Sequence, residues 1–276
     1  MFDLVISGGD SFTFGAELKT NTTMKPNLNS WANLVAQRIS NTHINVARSG
    51  RSNSYIVRQV LHQLDCALDQ GTHTDKIFVQ VMWTFTNRQE FAISTPTDEW
   101  DSPWMYLTPY SHVDETESEW FKGVDKSLPT WQNVYNNLKS FYNKNKKLGI
   151  VDFAQQYQKL VQTSPLNDSY TSLSQILLLQ NTLRCYNISY LFTYVNQHVM
   201  SGLFNQLLNN KYLKSTRNLI DKNNWFDFPG DYQAYVGFDD WARHNNYDYG
   251  TSHPLETAHV DAADLIYTHI IESNKR

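Results

Sequence analysis

A chain of 276 residues that is 41% apolar, 14% aromatic and 18% charged carries enough hydrophobic material for a sizeable core and is far from a disordered composition. Its net charge of −4 excludes the Lys/Arg excess that neutralising nucleic-acid phosphates requires, so no nucleic-acid partner is expected. The length exceeds the roughly 100–150 residues of a typical domain but suits one α/β domain with an insertion, and a single domain over residues 1–276 is expected.

Residues 2–7 form a short apolar run stopped by Gly8-Gly9-Asp10, the pattern of a buried parallel strand meeting a turn. Ser30 stands where it can cap a helix with Trp31, Leu34, Val35 and Ile39 at helical spacing, and 43–47 reads as a second strand. After a turn at 48–51, Ile56, Val57, Val60, Leu61, Leu64 and Leu68 mark one face of a second helix, with Gly71 at its stop. Lys76 to Trp83 supplies a third strand. Residues 94–130 then break the alternation, with four of the eight prolines, three of the eight tryptophans and eight Asp or Glu against two Lys or Arg, a local charge of −6. A connection of that length inside a compact domain is usually functional, and its aromatic content suggests an ordered lid. Helical segments over 131–162 and 168–186 precede a fourth strand at 188–195, and 225–228 is a short strand or turn. Pro254 opens a last helix carrying Leu255, Ala258, Ala262, Leu265, Ile266 and Ile270, on which His259 and His269 read as structural.

Alternating strands and helices predict a doubly wound, mostly parallel sheet with helices on both faces, a three-layer α/β/α architecture. In such sheets the site lies at the carboxyl ends of the strands. Cys66 and Cys185 are too few for a disulfide framework and are expected as buried, reduced thiols. The first residues lack the basic and apolar regions of a secretory signal, and no run approaches the ~18 apolar residues of a membrane span. A soluble cytoplasmic protein is therefore expected, with its oligomeric state left open.

The residues that follow the strands carry candidate chemistry. Gly9-Asp10-Ser11-Phe12-Thr13-Phe14-Gly15 follows the first strand, Arg48-Ser49-Gly50 the second and Thr84-Phe85-Thr86-Asn87-Arg88 the third, while Asp248-Tyr249-Gly250-Thr251-Ser252-His253-Pro254 stands near the C-terminus. A serine hydroxyl is a poor nucleophile until a base takes its proton, and an ester's tetrahedral intermediate needs preorganised donors around its oxyanion. Ser11 is the candidate nucleophile and His253 the candidate base. The amides of Ser11 and Gly50 and the side-chain amide of Asn87 are candidate oxyanion donors.

These four ordered blocks resemble those of the SGNH hydrolases, also called GDSL esterases and lipases, across most of the chain. The resemblance implies a flavodoxin-like fold, a serine esterase acting through an acyl-enzyme, no cofactor, and a small-molecule or glycan ester as substrate. In that family the orienting acid stands three residues before the histidine; here that position is Gly250. Asp248 is the nearest carboxylate, with a Ser-His dyad or an acid such as Asp239 or Asp240 as alternatives.

Trp100, Trp104, Tyr106, Tyr110 and Trp120 offer flat amphipathic faces for a sugar or acyl chain, or else anchor the insertion to the domain. Arg51 and Arg88 flank the oxyanion loops, where they either meet an anionic substrate or pair with carboxylates. No zinc, calcium or phosphate-loop pattern appears, so no metal is expected. An O-acetylated carbohydrate is the preferred substrate, with a lipase or thioesterase on longer chains, or an inactive carbohydrate-binding relative, as alternatives.

Overall fold

The computed structural model describes residues 2–19, 25–92, 104–107, 136, 139–140, 142–157, 159, 165–201, 210–232 and 235–273. In chain order these give β1 (Leu4–Gly8), α1 (Ser11–Phe14), α2 (Trp31–Ile39), β2 (His43–Asn45), α3 (Asn53–Asp69), β3 (Ile77–Trp83), β4 (Gln89–Ala92), β5 (Trp104–Leu107), α4 (Ile150–Tyr157), α5 (Pro165–Cys185), β6 (Ser189–Tyr194), α6 (Lys211–Asn218), α7 (Phe238–His244) and α8 (Glu256–Ser273).

Four strands form a parallel sheet in the order β2-β1-β3-β6, the order of a flavodoxin-like doubly wound fold. Side chains alternate across it as the period of a strand demands. Leu4, Ile6, Ile77, Val79, Val81, Trp83, Tyr190, Phe192 and Tyr194 pack on one face with α3 and α5. On the other, Val5, Phe78, Met82 and Leu191 pack with α2, α7 and α8. This is the expected three-layer arrangement, and the near-continuous apolar runs arise because both faces are covered. Trp225 bridges to Phe192 in parallel, and the Phe226 amide donates to the Phe192 carbonyl, so the 225–228 segment continues the sheet at its β6 edge.

Three polar side chains are linked across the sheet by hydrogen bonds. Gln80 donates to the Ser7 hydroxyl and to the Ala32 carbonyl, both at 2.7 Å, and Ser7 is 2.6 Å from Nε2 of His43. Burial holds His43 down at about 4. At α2, the Ser30 side chain makes no cap bond, and the first helical amide, that of Trp31, donates instead to Nδ1 of the fully buried His259 at 3.1 Å. His259 is lowered to about 3, first by burial and then by the charge of His253.

Several boundaries differ from those expected. The last helix starts at Glu256, because Pro254 is held in an antiparallel bridge with Tyr249. The 94–130 stretch contains β5, which pairs antiparallel with β4; the rest of the stretch, with Trp100, Tyr110 and Trp120, lies outside the described residues. Cys66 is half-buried and Cys185 is exposed, both as free thiols, because Cys185 ends α5 on its solvent side.

Asp168, in the first turn of α5, is 2% exposed and accepts from Nε2 of Gln89 at 3.2 Å. Burial pushes its carboxyl up to about 6 from 3.8, against the opposing pull of the Gln89 bond. A carboxyl raised in the folded state favours folding while protonated, and that advantage is lost as pH rises from about 4 to above 6. Asp168→Asn is therefore expected to leave stability near pH 4 unchanged and to raise it at pH 7 by on the order of 2 kcal/mol, measured by urea unfolding. A pH-independent difference would contradict this account.

Candidate active site

Parallel pairing puts the carboxyl ends of β1, β2 and β3 along one edge, so the segments leaving them are neighbours whatever their separation in sequence. Asp10 binds them together. Its carboxylate has no exposure; it accepts from the Phe12 amide at 3.0 Å, which caps α1, and from the Thr84 hydroxyl at 2.6 Å and Nη1 of Arg88 at 2.5 Å, both beyond β3. Arg88 also donates to Thr84 Oγ1 at 2.9 Å and lies over the Phe85 ring. The exit of β2 is tied to the exit of β3 by Asn53, which accepts from the Thr84 amide at 2.9 Å and donates to the Thr84 carbonyl at 3.1 Å. The Arg48 amide donates to the Gly9 carbonyl at 3.4 Å.

Ser11 opens α1 and is 4% exposed. Its amide belongs to the first turn of a helix, where N–H groups have no intrahelical acceptor. Gly50 stands in the turn after β2 with φ +74, a left-handed conformation that favours glycine although a Cβ there would meet nothing within 4 Å. Asn87 is half-buried in the turn after β3. The segments bearing all three candidate oxyanion donors thus run along one sheet edge and are joined by direct bonds.

His253 reaches this edge from the far end of the chain. Its ring packs on that of Phe12, the residue after Ser11, with centroids 4.8 Å apart. Nδ1 of His253 is 3.0 Å from Oγ of Ser252 and 3.4 Å from Oε1 of Glu17. Oε2 of Glu17 accepts from the backbone amides of Ser252 at 3.1 Å and His253 at 3.2 Å, and the Ser252 hydroxyl donates to Oε1 at 3.3 Å. Burial works against ionisation of Glu17, but the hydrogen bonds from the His253 ring and the two amides outweigh it and hold the carboxyl at about 2.

The carboxylate against His253 is therefore Glu17, not Asp248. Asp248 is exposed; its backbone carbonyl accepts from Leu255, and its side chain has no hydrogen bond or ion pair among the described residues. Asp239 faces Arg243 and Tyr249, and Asp240 accepts from the amides of Gln197 and Gly237, so neither is committed to His253. Glu17 is 236 residues from His253 and matches no spacing rule, so sequence reasoning misses it. The one trace it leaves is the glycine at position 250, where a side chain was expected.

The residues proposed as substrate contacts have other engagements. Arg88 is spent on Asp10, a pairing that fixes the loops and leaves that side chain only 16% exposed. Arg51 lies 3.2 Å from the centre of the Tyr106 ring and 5.1 Å from that of Tyr55. Arg58 lies over Trp104 at 4.3 Å and pairs with Glu90 at 3.3 Å. Cation–π contacts thus clamp the β4–β5 pair onto α3. Trp104 and Tyr106 serve as anchors there, and Trp100 lies outside the described residues.

No protein-family model matches the sequence, and no curated protein matches it. Among solved structures the chain is similar to the psychrotrophic esterase EstA from Pseudoalteromonas sp., described as inhibited by monoethylphosphonate, with 12% identity, a TM-score of 0.45, and 99% of this chain and 100% of that one covered. It is also similar to a member of the lipolytic protein G-D-S-L family from Veillonella parvula, with 11% identity, a TM-score of 0.42, and 99% and 98% covered. Likeness this distant does not bear on the chemistry, which is argued from the geometry of the loops.

Removing one partner of a buried ion pair strands the other charge. Asp10→Asn is expected to lower the unfolding free energy by roughly 3 kcal/mol, and Arg88→Met in that background to recover part of the loss, measured by urea denaturation of the single and double variants. A loss under about 1 kcal/mol would show that Asp10 does not anchor the loops.

Proposed function

We propose that the protein is a serine ester hydrolase that removes a small acyl group through an acyl-enzyme, with an O-acetylated carbohydrate as its preferred substrate. The observation that carries this reading is the position of His253: its ring lies on Phe12, next to Ser11, and its Nδ1 is engaged by Ser252 and Glu17. That leaves Nε2 as the nitrogen that takes the serine proton.

In this reading Oγ of Ser11 attacks the ester carbonyl carbon while its proton passes to Nε2 of His253. The carbonyl oxygen, now an oxyanion, takes hydrogen bonds from the amides of Ser11 and Gly50 and from Nδ2 of Asn87, each worth on the order of 10²–10³ in rate. The intermediate collapses by breaking the bond to the alkoxy oxygen, which leaves with the proton from Nε2. Water then repeats the sequence on the acyl-serine, giving a carboxylic acid and free Ser11. Apart from the clamped Trp104 and Tyr106, residues 94–130 hold Trp100, Tyr110 and Trp120 and a net charge of −6, a composition that supports a flat, polar substrate such as a sugar over a long aliphatic chain.

A fluorophosphonate probe is expected to label the wild-type protein and not Ser11→Ala, and acetyl esters to be cleaved faster than octanoyl esters of the same alcohol. Labelling of Ser11→Ala, or a wild type that neither labels nor cleaves acetyl esters, would overturn the reading. A preference for octanoyl esters would keep the reaction and replace the substrate.

A further inference from the structure

We propose that Glu17 is the positioning acid of His253 and that Gly250 is the room it occupies. The carboxylate of this site would then come from the segment that follows the nucleophile, not from the turn that carries the histidine. The inference rests on the esterase reading and concerns which group holds the imidazole.

The first observation is mutual exclusion. A Cβ built at Gly250 would lie 2.2 Å from Oε2 of Glu17 and 3.1 Å from its Cβ and Cδ, and these are the three nearest atoms. Gly250 is not in the left-handed region, so its backbone tolerates a side chain. Glu17 supplies the nearest atoms that such a side chain would meet, and one of the two would have to move. A carboxylate projecting from position 250 and the carboxylate of Glu17 would claim the same volume beside His253, and the chain has the second.

The second observation is how firmly Glu17 is held. It adopts φ +68, uncommon for a residue with a side chain and a source of local strain that the surroundings must outweigh. The surroundings do so from both ends of the chain. Glu17 accepts the amides of Ser252 and His253, and two residues on the Lys19 amide donates to Oε1 of Glu256 at 2.7 Å, at the start of α8. The 15–19 segment and the histidine turn are therefore stitched at two points. Oε1 of Glu17 and Oγ of Ser252 together face Nδ1 of His253. A proton on Nδ1 has these two oxygens as acceptors, which fixes the tautomer with Nε2 free to receive the serine proton.

The third observation concerns charge. With side-chain exposures of 29% for Glu17 and 15% for His253, the pair is partly withdrawn from water. The negative charge on Glu17 stabilises the imidazolium formed when Ser11 is deprotonated, an effect felt in the transition state and not in substrate binding.

The test measures kcat, KM and thermal midpoint for four proteins beside the wild type. Glu17→Gln keeps the shape and removes the charge. Glu17→Gly removes the side chain and suits the left-handed backbone, so it tests the carboxylate without adding strain. Gly250→Asp alone forces two side chains into one volume. Glu17→Gly with Gly250→Asp moves the acid to the histidine turn. The expected result is a fall in kcat of at least about 10²-fold for Glu17→Gln and Glu17→Gly, with KM within a few-fold and a thermal midpoint for Glu17→Gln that is lowered but stays above the assay temperature, since the lost charge also removes stability. Gly250→Asp alone is impaired, and the double variant recovers about tenfold or more over Glu17→Gly. Either a Glu17→Gln kcat within about threefold of wild type, or no recovery in the double variant, would overturn the assignment of Glu17. If Ser11 still reacts with the fluorophosphonate in those proteins, the esterase reading survives that failure; if the wild type neither reacts nor turns over, both fall.

Discussion

The arrangement depends on one buried carboxylate. Asp10 sits without exposure where β1 ends, and its two oxygens accept an amide, a hydroxyl and a guanidinium. An ion pair withdrawn from water is costly unless each charge is also hydrogen-bonded, and here Thr84 meets that need by bonding both partners. The consequence is positional. The turn carrying Ser11, the helix it opens and the segment carrying Asn87 cannot shift independently, and Asn53 extends the same constraint to the exit of β2. Arg88, which the sequence left open between an anionic substrate and a carboxylate partner, is a fixture of this frame.

Environment divides three histidines into separate roles. His43 is half-buried and His259 fully buried, and desolvation lowers both, so they serve as hydrogen-bonding groups: His43 beside the Ser7 and Gln80 pair, His259 as acceptor for the first amide of α2. His253 alone has a carboxylate at one ring nitrogen and an aromatic ring beneath it, next to a serine. The same side chain is thus a structural acceptor in two places and a candidate base in the third.

Much of the frame was legible in the sequence. The buried strands read clearly because a parallel sheet covered on both faces needs continuous apolar runs, and 4–8, 77–83 and 189–194 supply them. The turns after those strands and the histidine block were visible for the same reason: they follow the strands directly. What stayed hidden was decided by contacts distant along the chain. Trp104 and Tyr106 carried no signal that arginines on α3 and its preceding turn would hold them, and Arg88 none that it would face Asp10. Glu17 meets His253 across nearly the whole chain through a backbone conformation that local propensity argues against. Gly250 was readable as a departure, but only the packing of Glu17 against it says why a glycine belongs there.

The central claim is that segments from four places in the chain form one acyl-transfer site with Ser11 as nucleophile. The most direct measurement is a crystal structure of the protein after reaction with a small organophosphonate ester, whose tetrahedral phosphorus mimics the acyl intermediate. The account predicts phosphorus bonded to Oγ of Ser11, its charged oxygen within hydrogen-bond distance of the Ser11 and Gly50 amides and Nδ2 of Asn87, and Nε2 of His253 beside a neighbouring oxygen with Glu17 still at Nδ1. An adduct on another residue, or one on Ser11 whose oxygen points away from Gly50 and Asn87, would contradict it.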